Sequence, residues 1–424
     1  MSVPAKAGRM ARTEYERVRR ASRDAANRRF LRRHPLSQSP PATAMVHFAD
    51  DDPELYLYQL RQWYEPLAAL RRELPTVISV RKATVARVIA RECTLPVVYL
   101  RNLPDMENYM TAADPRVVLY VNQSVRNFQL MRYGRAMHVF ISHGESEKGY
   151  MSSGQLRAYD FAFIAGRAAH DRILASLPLY DPATRTRQIG RPQLDFLPPD
   201  RSGGPGPRTV FYAPTWEGDR PSMAYGSIES SGRQIVASLL AGGYRVIYRP
   251  HPLSGTHSPS YGRADREIRA ILGRANSSAP TGRAPHVIDT AVRIDAQIAE
   301  SDAAIVDNSA MAFDWLVTGK PLIVTVPADE SAVGAHNSFL SACYRLTAQD
   351  AGVAAQRVGD ALEHDVLRDQ RDYWVHRHFG DVSPGASTRR FIEATRDVAE
   401  FGAAQLRMTE QRAAELGARR LGPG

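Results

Sequence analysis

Short apolar runs alternate with stretches of helical spacing along most of the chain. In the first half the runs are rich in Val, Ile, Tyr and Phe, and they lie at residues 76–80, 95–100, 117–121, 139–141 and 161–164. Helical stretches separate several of them, among them 82–92 and 168–177. Strands that are short, apolar throughout and spaced by helices are typical of a parallel sheet with helices on both faces. From about Ala44 onward the pattern therefore predicts an α/β domain.

A second alternating set follows a cluster of Pro and Gly at residues 197–207. Its apolar runs lie at 209–212, 245–248, 287–288, 303–306 and 322–324, with helical segments at 234–240, 264–274, 294–300 and 311–317. We therefore predict the fold class to be α/β, with two Rossmann-like parallel-sheet domains facing across a cleft (the GT-B arrangement) and C-terminal helices. The predicted boundaries are a basic tail and linker at 1–43, a first domain at 44–197, a second domain at 208–384 and a helical tail at 385–424.

Length and composition agree with two globular domains. At 424 residues the chain can bury a core in each. No run approaches the roughly 18 to 20 apolar residues that span a bilayer, and the N-terminus lacks the apolar core of a secretory signal. Cys93 and Cys343 are the only cysteines, and both lie in apolar surroundings. These features predict a cytoplasmic protein with reduced core cysteines and no disulfide, metal site or cofactor.

The net charge of +10 comes almost wholly from arginine, since lysine occurs only at positions 6, 82, 148 and 320. A basic surface suits an anionic membrane, an anionic polymer or nucleic acid. No recognisable nucleic-acid-binding motif accompanies the charge, which argues against nucleic acid. Much of the excess lies in residues 1–34. This stretch is either a solvated tail or surface helix, or a segment that docks electrostatically on an anionic membrane face.

Polar residues suited to chemistry follow several of the predicted strands. After 303–306 the chain continues as Asp307-Asn308-Ser309 at the start of a helix. Backbone N–H groups there have no partner within the helix, and the helix dipole adds positive potential, so the site suits an anion such as a phosphate. Asp314 on the same helix could accept hydrogen bonds from substrate hydroxyls, or it could support the helix start.

Two histidines also lie at strand ends. His143 follows the run at 139–141, and an unperturbed pKa of about 6.5 suits removal of a proton from a hydroxyl; the alternative is a histidine that only caps a loop. His251 follows the run at 245–248 and directly follows Pro250. Arg249 adds a charge able to grip a phosphate, although the prolines could simply end the strand.

Two further segments also have both a functional and a purely structural interpretation. Thr215 follows Pro214 after the run at 209–212, and its hydroxyl could bind a base or a ribose, or the segment could pack on the core. The acidic run at residues 50–52 precedes a helix and is interpreted as a capping feature, not a metal site.

Six motifs in this order resemble the CDP-glycerol glycerophosphotransferases, the family of wall teichoic acid glycerol-phosphate primases and polymerases. They read SHGESEKG (142–149), YDFAFIAG (159–166), IGRPQLD (189–195), FYAPTW (211–216), YRPHP (248–252) and SDAAIVDNSAMAFD (301–314). The resemblance extends over roughly residues 95–330. It implies a GT-B fold and transfer of glycerol phosphate from CDP-glycerol to a hydroxyl acceptor, with release of CMP.

The resemblance also implies roles for individual residues. His143 falls on the family's catalytic base and His251 on its second essential histidine. Pro214 and Thr215 fall on the pair that contacts the nucleotide. The other positions implied to bind substrate are Ser142, Gly144, Glu145, Ser146, Lys148, Arg191, Arg249, Pro250, Asp307, Ser309, Ala310 and Asp314.

Four positions depart from the family's pattern. Glu145 and Ser146 stand where Thr and Pro are usual, and Ala310 replaces the second of two serines. Gln193 stands where an arginine is usual, with Arg191 two residues before it. The departures leave both histidines in place. They leave the donor open between CDP-glycerol and another CDP-alditol such as CDP-ribitol.

We therefore expect a transferase that moves an alditol phosphate from a CDP-activated donor to a hydroxyl of a cell-envelope glycan or lipid-linked glycan. Domain 208–384 is expected to bind the donor and domain 44–197 the acceptor. The protein is expected to be cytoplasmic and peripheral on the inner face of the plasma membrane. Two alternatives remain: a nucleotide-sugar glycosyltransferase or epimerase on the same fold, and a non-catalytic basic scaffold that binds an anionic polymer or membrane.

Overall fold

The structure is a computed structural model that describes residues 17–18, 21–145, 152–204, 206–218, 226–291, 294–326 and 338–420, with side chains described as far as residue 416. The described part of the chain divides into two compact units. The first unit contains the described residues up to His143, residues 158–162 and those from Ile392 onward. The second contains the described residues from Gly144 to Arg157 and the stretch from Phe163 to Phe391.

Within the described residues, seven strands form the first sheet. They are β1 (Ala44–Phe48), β2 (Thr76–Val80), β3 (Val97–Tyr99), β4 (Val117–Tyr120), β5 (Met137–Phe140), β6 (Phe161–Ile164) and β7 (Thr186–Gln188). Their order is β3-β2-β1-β4-β5-β6-β7, and the pairs from β3 to β6 are parallel. All residues of β1, β2 and β4 are buried, as expected of central strands covered on both faces.

Helix α1 (residues 21–33) precedes the first strand. The helices between the strands are α2 (Pro53–Tyr56), α3 (Tyr58–Arg61), α4 (Tyr64–Glu73), α5 (Ala83–Glu92), α6 (Leu103–Ala113), α7 (Arg167–Ser176) and α8 (Pro182–Arg185). Asp52 caps α2 by accepting from the backbone N–H of Glu54 at 2.9 Å. The capping role predicted for the acidic run is thereby confirmed for Asp52.

In the part of the chain that the structure describes, the second sheet has six strands. They are β8 (Thr209–Ala213), β9 (Arg245–Tyr248), β10 (Val287–Ile288), β11 (Ala303–Asp307), β12 (Leu322–Val326) and β13 (Tyr344–Thr347). The order is β10-β9-β8-β11-β12-β13, and all neighbours are parallel. The connecting helices are α9 (Arg233–Ala241), α10 (Pro259–Ser277), α11 (Asp295–Glu300), α12 (Ala310–Leu316), α13 (Ala354–Glu363) and α14 (Arg368–Phe379).

Alternate residues of the central strands feed two separate cores. Phe211 on β8 packs in a cluster with Phe313 and Trp315 of α12. Its neighbour Tyr212 belongs to the cluster on the opposite face, which includes Ile268 of α10. The strand period of two thus supplies both helical layers.

The long helix α15 (Ala386–Arg420) closes the described chain. Phe391 near its start meets Phe163 edge-on at 6.3 Å, within the second unit. Nearly three turns later, Phe401 meets Phe161 edge-on at 5.8 Å, within the first unit. A Cβ added to Gly402 would lie 2.8 Å from Cγ of Met137, so this turn of the helix approaches β5 closely.

The predicted fold class is confirmed: the chain forms two parallel sheets with helices and ends in a long helix. Most predicted strands and helices are present with shifts of one or two residues, but the pattern does not identify β1, β7 and β13. His47 interrupts the apolar run of β1, whereas β7 and β13 are short, partly polar strands at sheet edges. Among the described residues, no helix combines the length and apolar character needed to cross a bilayer.

Candidate active site

His143 lies just beyond β5, at the carboxyl end of the first sheet. Its Nδ1 lies 3.2 Å from the carbonyl oxygen of Val121, which follows β4. Because a carbonyl oxygen can only accept, Nδ1 carries the hydrogen, and the neutral ring keeps its lone pair on Nε2. The ring of Tyr58 meets the imidazole edge-on at 5.8 Å. In its neutral form His143 is therefore held in the Nδ1–H tautomer.

The turn that precedes His143 has a rare backbone conformation. Ser142 has a φ of 57°, in the left-handed region that residues with a Cβ seldom adopt. Ser142 is buried, and its carbonyl oxygen accepts a 2.6 Å hydrogen bond from Nε1 of Trp63. This turn sets the direction in which the chain leaves β5 and so determines where the imidazole is placed.

Gly144 approaches the start of α12 within the second unit. A Cβ added to Gly144 would lie 3.0 Å from Cβ of Ala310 and 3.9 Å from Nη2 of Arg191. The backbone of this loop and the first residue of α12 are thus so close that a Cβ at position 144 would force Ala310 to shift.

Arg191 and Asp314 form a buried ion pair beside Gly144. The Nε of Arg191 donates to Oδ1 of Asp314 at 2.8 Å, and Nη2 donates to Oδ2 at 3.2 Å. Both side chains are only 6% exposed, so this bidentate pair is shielded from water. The structure therefore brings together four predicted site residues in one cluster, namely Gly144, Arg191, Ala310 and Asp314.

The rest of the first histidine motif is only partly described. Glu145 is buried and its carboxylate pairs with Arg172 of α7. Ser146 and Lys148 lie outside the described residues. The substrate-binding roles predicted for them stay predictions.

His251 lies beyond β9, at the carboxyl end of the second sheet. Its Nδ1 accepts a hydrogen bond from the backbone N–H of Leu253 at 3.1 Å. A backbone N–H can only donate, so the proton of the neutral ring sits on Nε2. The ring of Trp216 stacks beside the imidazole with a centroid distance of 6.3 Å. His251 is thus held in the opposite tautomer to His143, as a hydrogen-bond donor through Nε2.

Glu217 fixes the loop that carries His251. Its carboxylate accepts three backbone hydrogen bonds, from Gly255 at 2.9 Å, His257 at 2.8 Å and Ser258 at 3.0 Å. Partial burial raises the pKa of Glu217, but these donors outweigh burial and the pKa is lowered overall. The segment after β8 therefore holds the loop after β9 in a defined conformation.

Arg249 is anchored within its own unit. Its guanidinium pairs with the buried carboxylate of Asp289 and donates to the carbonyl oxygen of Ala291 at 2.9 Å. Pro250 follows in a half-buried position. The predicted grip of Arg249 on a phosphate stays a prediction.

Asp307 joins the ends of three neighbouring strands. Its Oδ2 accepts from the backbone N–H of Thr215 at 2.7 Å and of Ser227 at 3.1 Å, and its Oδ1 accepts from the hydroxyl of Thr325. Burial raises the pKa of Asp307, and these hydrogen bonds oppose the shift. Asp307 therefore holds Thr215, which follows the buried Pro214, at the end of β8.

Ser309 is the N-cap of α12. It is buried in an extended conformation, and its hydroxyl makes no capping hydrogen bond to the helix. The helix has seven residues. The phosphate-binding role predicted for this helix start stays a prediction.

Several residues that shape the site carry no signal in the sequence pattern. Trp63, Tyr58 and Asp289 lie far along the chain from the residues that they contact. Glu217 directly follows the FYAPTW motif, and this proximity is the one signal that could have identified it. Among the described residues, no group of His, Cys, Asp and Glu side chains could hold a metal ion.

The sheets and their strand-end histidines place the protein among α/β proteins of the GT-B type. The sequence model of the family described as CDP-glycerol:poly(glycerophosphate) glycerophosphotransferase matches residues 188–331. The resemblance to this family is thereby confirmed. The matched stretch includes Arg191, Thr215, His251 and Asp314, and His143 lies before it. A search of curated protein sequences finds no match.

Three solved structures resemble the chain in fold. A variant of the wall teichoic acid polymerase TagF aligns with a TM-score of 0.52 and 12% identity, over 94% of this chain and 99% of that one. A UDP-N-acetylglucosamine 2-epimerase aligns with 0.54 and 12%, over 84% and 95%. A glycosyltransferase from Rickettsia africae ESF-5 aligns with 0.51 and 10%, over 84% and 98%. At these identities the likeness establishes the shared fold.

Proposed function

We propose that the protein is a transferase that moves glycerol phosphate, or a related alditol phosphate, from a CDP-activated donor to a hydroxyl of a cell-envelope glycan or glycolipid. The observation that best supports this proposal is that His143 and His251 adopt opposite tautomers. One imidazole presents a lone pair on Nε2 and the other presents a hydrogen on Nε2. The family match and the fold shared with a wall teichoic acid polymerase support the same conclusion.

The two tautomers suit the two proton requirements of the reaction. Nε2 of His143 takes the proton of the acceptor hydroxyl, whose oxygen forms a bond to the β-phosphorus of the donor. The bond between that phosphorus and the oxygen bridging it to CMP breaks, and CMP leaves with the bridging oxygen. Nε2–H of His251 donates a hydrogen bond to the leaving group and stabilises its growing negative charge. The proton held by His143 then passes to solvent.

The remaining predicted site residues serve substrate binding in this proposal. Thr215 and Pro214 contact the nucleotide, and Asp307 holds the backbone of Thr215 in place. The cluster of Gly144, Arg191, Ala310 and Asp314 lines the donor side within the second unit. Because Arg191 is already paired with Asp314, it positions this cluster instead of carrying an unpaired charge.

A panel of donors tests the function. CDP-glycerol, CDP-ribitol, UDP-N-acetylglucosamine and GDP-mannose are each added in a thermal-shift assay, and product release is followed for those that bind. We expect a CDP-alditol to raise the melting temperature and to yield CMP with an acceptor. Stabilisation by the UDP- or GDP-sugar alone would instead support a glycosyltransferase or an epimerase, the activities that name two of the solved structures of similar fold.

Replacement of each histidine tests the mechanism. His143→Ala is expected to lower kcat roughly 10²- to 10⁴-fold, the usual contribution of a general base, and His251→Ala is expected to lower kcat as well. His364→Ala is the control, because this histidine is exposed at the end of α13. The mechanism is wrong if both active-site variants release CMP at the rate of the control.

A membrane surface is the expected location of the acceptor. Helix α1 carries exposed Arg28, Arg29, Arg32 and Arg33, and basic side chains near an anionic leaflet contribute about 1 kcal/mol each. We expect cosedimentation with phosphatidylglycerol vesicles that weakens as salt is raised. Equal binding to neutral phosphatidylcholine vesicles would contradict this expectation.

A further inference from the structure

We propose that Trp63 is a positioning residue for His143, acting through the carbonyl group of Ser142. This inference rests on the proposed function, in which His143 is the general base. Trp63 lies in the first unit, between α3 and α4, and is 1% exposed. Its indole N–H donates to the Ser142 carbonyl oxygen at 2.6 Å.

The Trp63 side chain is itself fixed by its backbone. The Trp63 N–H donates to the Leu60 carbonyl at 2.9 Å, and the Trp63 carbonyl accepts from the Leu67 N–H at 2.9 Å. The end of α3 and the start of α4 therefore hold the indole in one place. A donor held this rigidly can select one conformation of the acceptor that it contacts.

The carbonyl oxygen that accepts from Trp63 belongs to Ser142, whose backbone conformation is unfavourable. Ser142 has a φ of 57°, a conformation that a serine adopts only when its surroundings impose it. The bond from Trp63 reaches the carbonyl group of that residue and so favours the left-handed turn over an extended continuation of β5. Since the next residue is His143, the turn directs the imidazole.

The imidazole is then confined from two further sides. The Val121 carbonyl accepts from Nδ1 at 3.2 Å, and the ring of Tyr58 lies edge-on at 5.8 Å. The hydrogen bond to Val121 requires the ring to lie at the end of β4, which in turn requires the turn at Ser142. Loss of the Trp63 donor is therefore expected to free the ring to rotate and to mix the two tautomers.

The test is Trp63→Phe, which keeps an aromatic ring in the core and removes the N–H donor. We expect kcat to fall about 10- to 100-fold with little change in the KM for the donor, because a misplaced base affects the chemical step. Trp374→Phe is the matched control, since it removes a buried indole N–H that donates to Ser341 Oγ at 3.0 Å in the second unit.

A spectroscopic measurement separates positioning from a general loss of stability. Ring ¹⁵N shifts of His143, assigned by comparison with His143→Ala, should report the Nδ1–H tautomer in the unaltered protein and in Trp374→Phe. In Trp63→Phe they should report a mixture. Unchanged His143 shifts together with an unchanged kcat in Trp63→Phe would overturn the inference.

A second variant and a readout independent of turnover allow the role of Trp63 to be tested even if the first variant or the proposed function fails. If the phenylalanine variant does not fold, benzothienylalanine at position 63 replaces the N–H by sulfur at nearly constant shape, with the same expected result. The ¹⁵N readout needs neither donor nor turnover. If His143→Ala retains CMP release, the proposed function fails while the effect of Trp63 on the ring is still measured.

Discussion

At the scale of the residue, backbone groups decide the protonation of both histidines. The Nδ1 of His143 meets a carbonyl oxygen, whereas the Nδ1 of His251 meets an N–H group. Two identical side chains thereby adopt opposite tautomers, with the ring hydrogen on Nδ1 in His143 and on Nε2 in His251. Glu145 lies two residues after His143, but its carboxylate pairs with Arg172.

The buried pair of Arg191 and Asp314 leads to a prediction about the stability of the protein. Asp314→Asn leaves a guanidinium that is 6% exposed without its counter-charge. Breaking one side of a buried pair typically costs about 3 to 5 kcal/mol. We expect the free energy of unfolding, measured by denaturant titration, to fall by about that amount.

The control for this prediction is an exposed pair. Glu267→Gln breaks the pair between Arg233 and Glu267, whose side chains are 58% and 50% exposed, and should cost at most about 1 kcal/mol. If Asp314→Asn raises the KM for the donor and leaves stability unchanged, Asp314 serves the substrate alone and its structural role is refuted.

At the scale of the element, the loop after β9 is held by one carboxylate. Glu217 accepts from the backbone N–H groups of Gly255, His257 and Ser258, and hydrogen bonds to an ionised acceptor are among the stronger ones. We expect Glu217→Gln to increase hydrogen exchange across 253–258 and to lower kcat, since His251 belongs to the same loop. Glu229→Gln, on an exposed side chain, is the control.

The pH dependence of this loop follows from the lowered pKa of Glu217. A carboxylate whose pKa is lowered in the folded protein stabilises it above the unfolded value, and that contribution is lost as pH falls through the folded value. Protection of 253–258, judged from the exchange rate relative to the intrinsic rate at each pH, should therefore fall on acidification in the unaltered protein. In Glu217→Gln this protection should no longer change with pH in that way; an equal pH dependence of protection in both proteins would contradict the assignment.

Strands and helices with strong periodicity could be predicted at this scale, whereas irregular contacts could not. The runs at 76–80 and 245–248 coincide with β2 and β9, because buried parallel strands are apolar throughout. β1 was not predicted, because His47 interrupts its apolar run. The histidine is accommodated by a 2.9 Å hydrogen bond to Ser79 of β2. Because that bond joins residues far apart in sequence, the local pattern of apolar and polar residues does not reveal it.

In the candidate site, too, some features could be predicted from the sequence and others could not. The motifs around His143 and His251 could be found, because strand-end polar residues stand out against apolar runs. The tautomers could not, since they depend on which backbone group faces Nδ1 after folding. Trp63 was missed for the same reason: its bond to Ser142 spans 79 positions of the chain.

At the scale of the whole molecule, buried histidines link stability to pH. In the second unit His378 packs against Phe313, with ring centroids 4.8 Å apart. Burial, with Arg172 and Arg377 nearby, lowers the pKa of His378 to about 3. In the first unit burial, with smaller contributions from Arg81 and His138, lowers the pKa of His47 to about 3.

Both shifts destabilise the protein in acid. The unfolded chain binds protons below about pH 6.5 while the folded chain does not until about pH 3, so stability is full above 6.5 and falls between these values. The slope is about 1.4 kcal/mol per pH unit for each histidine. We expect His378→Phe, which keeps the ring and removes the titration, to flatten the fall in unfolding free energy measured between pH 6 and 4. An identical slope in both proteins would refute the assignment.

The route of α15 bears on how the protein is made. The first unit needs the chain up to His143, the stretch 158–162 and the helix from Ile392 onward. The ribosome thus completes most of this unit early and supplies its last helix only after synthesising the second unit, a delay of roughly 10 to 50 s at ordinary elongation rates. During that interval Met137 and Phe161 lack the turn of helix that covers them in the finished protein. The nascent chain is therefore a natural client for chaperones that shield apolar surface during translation.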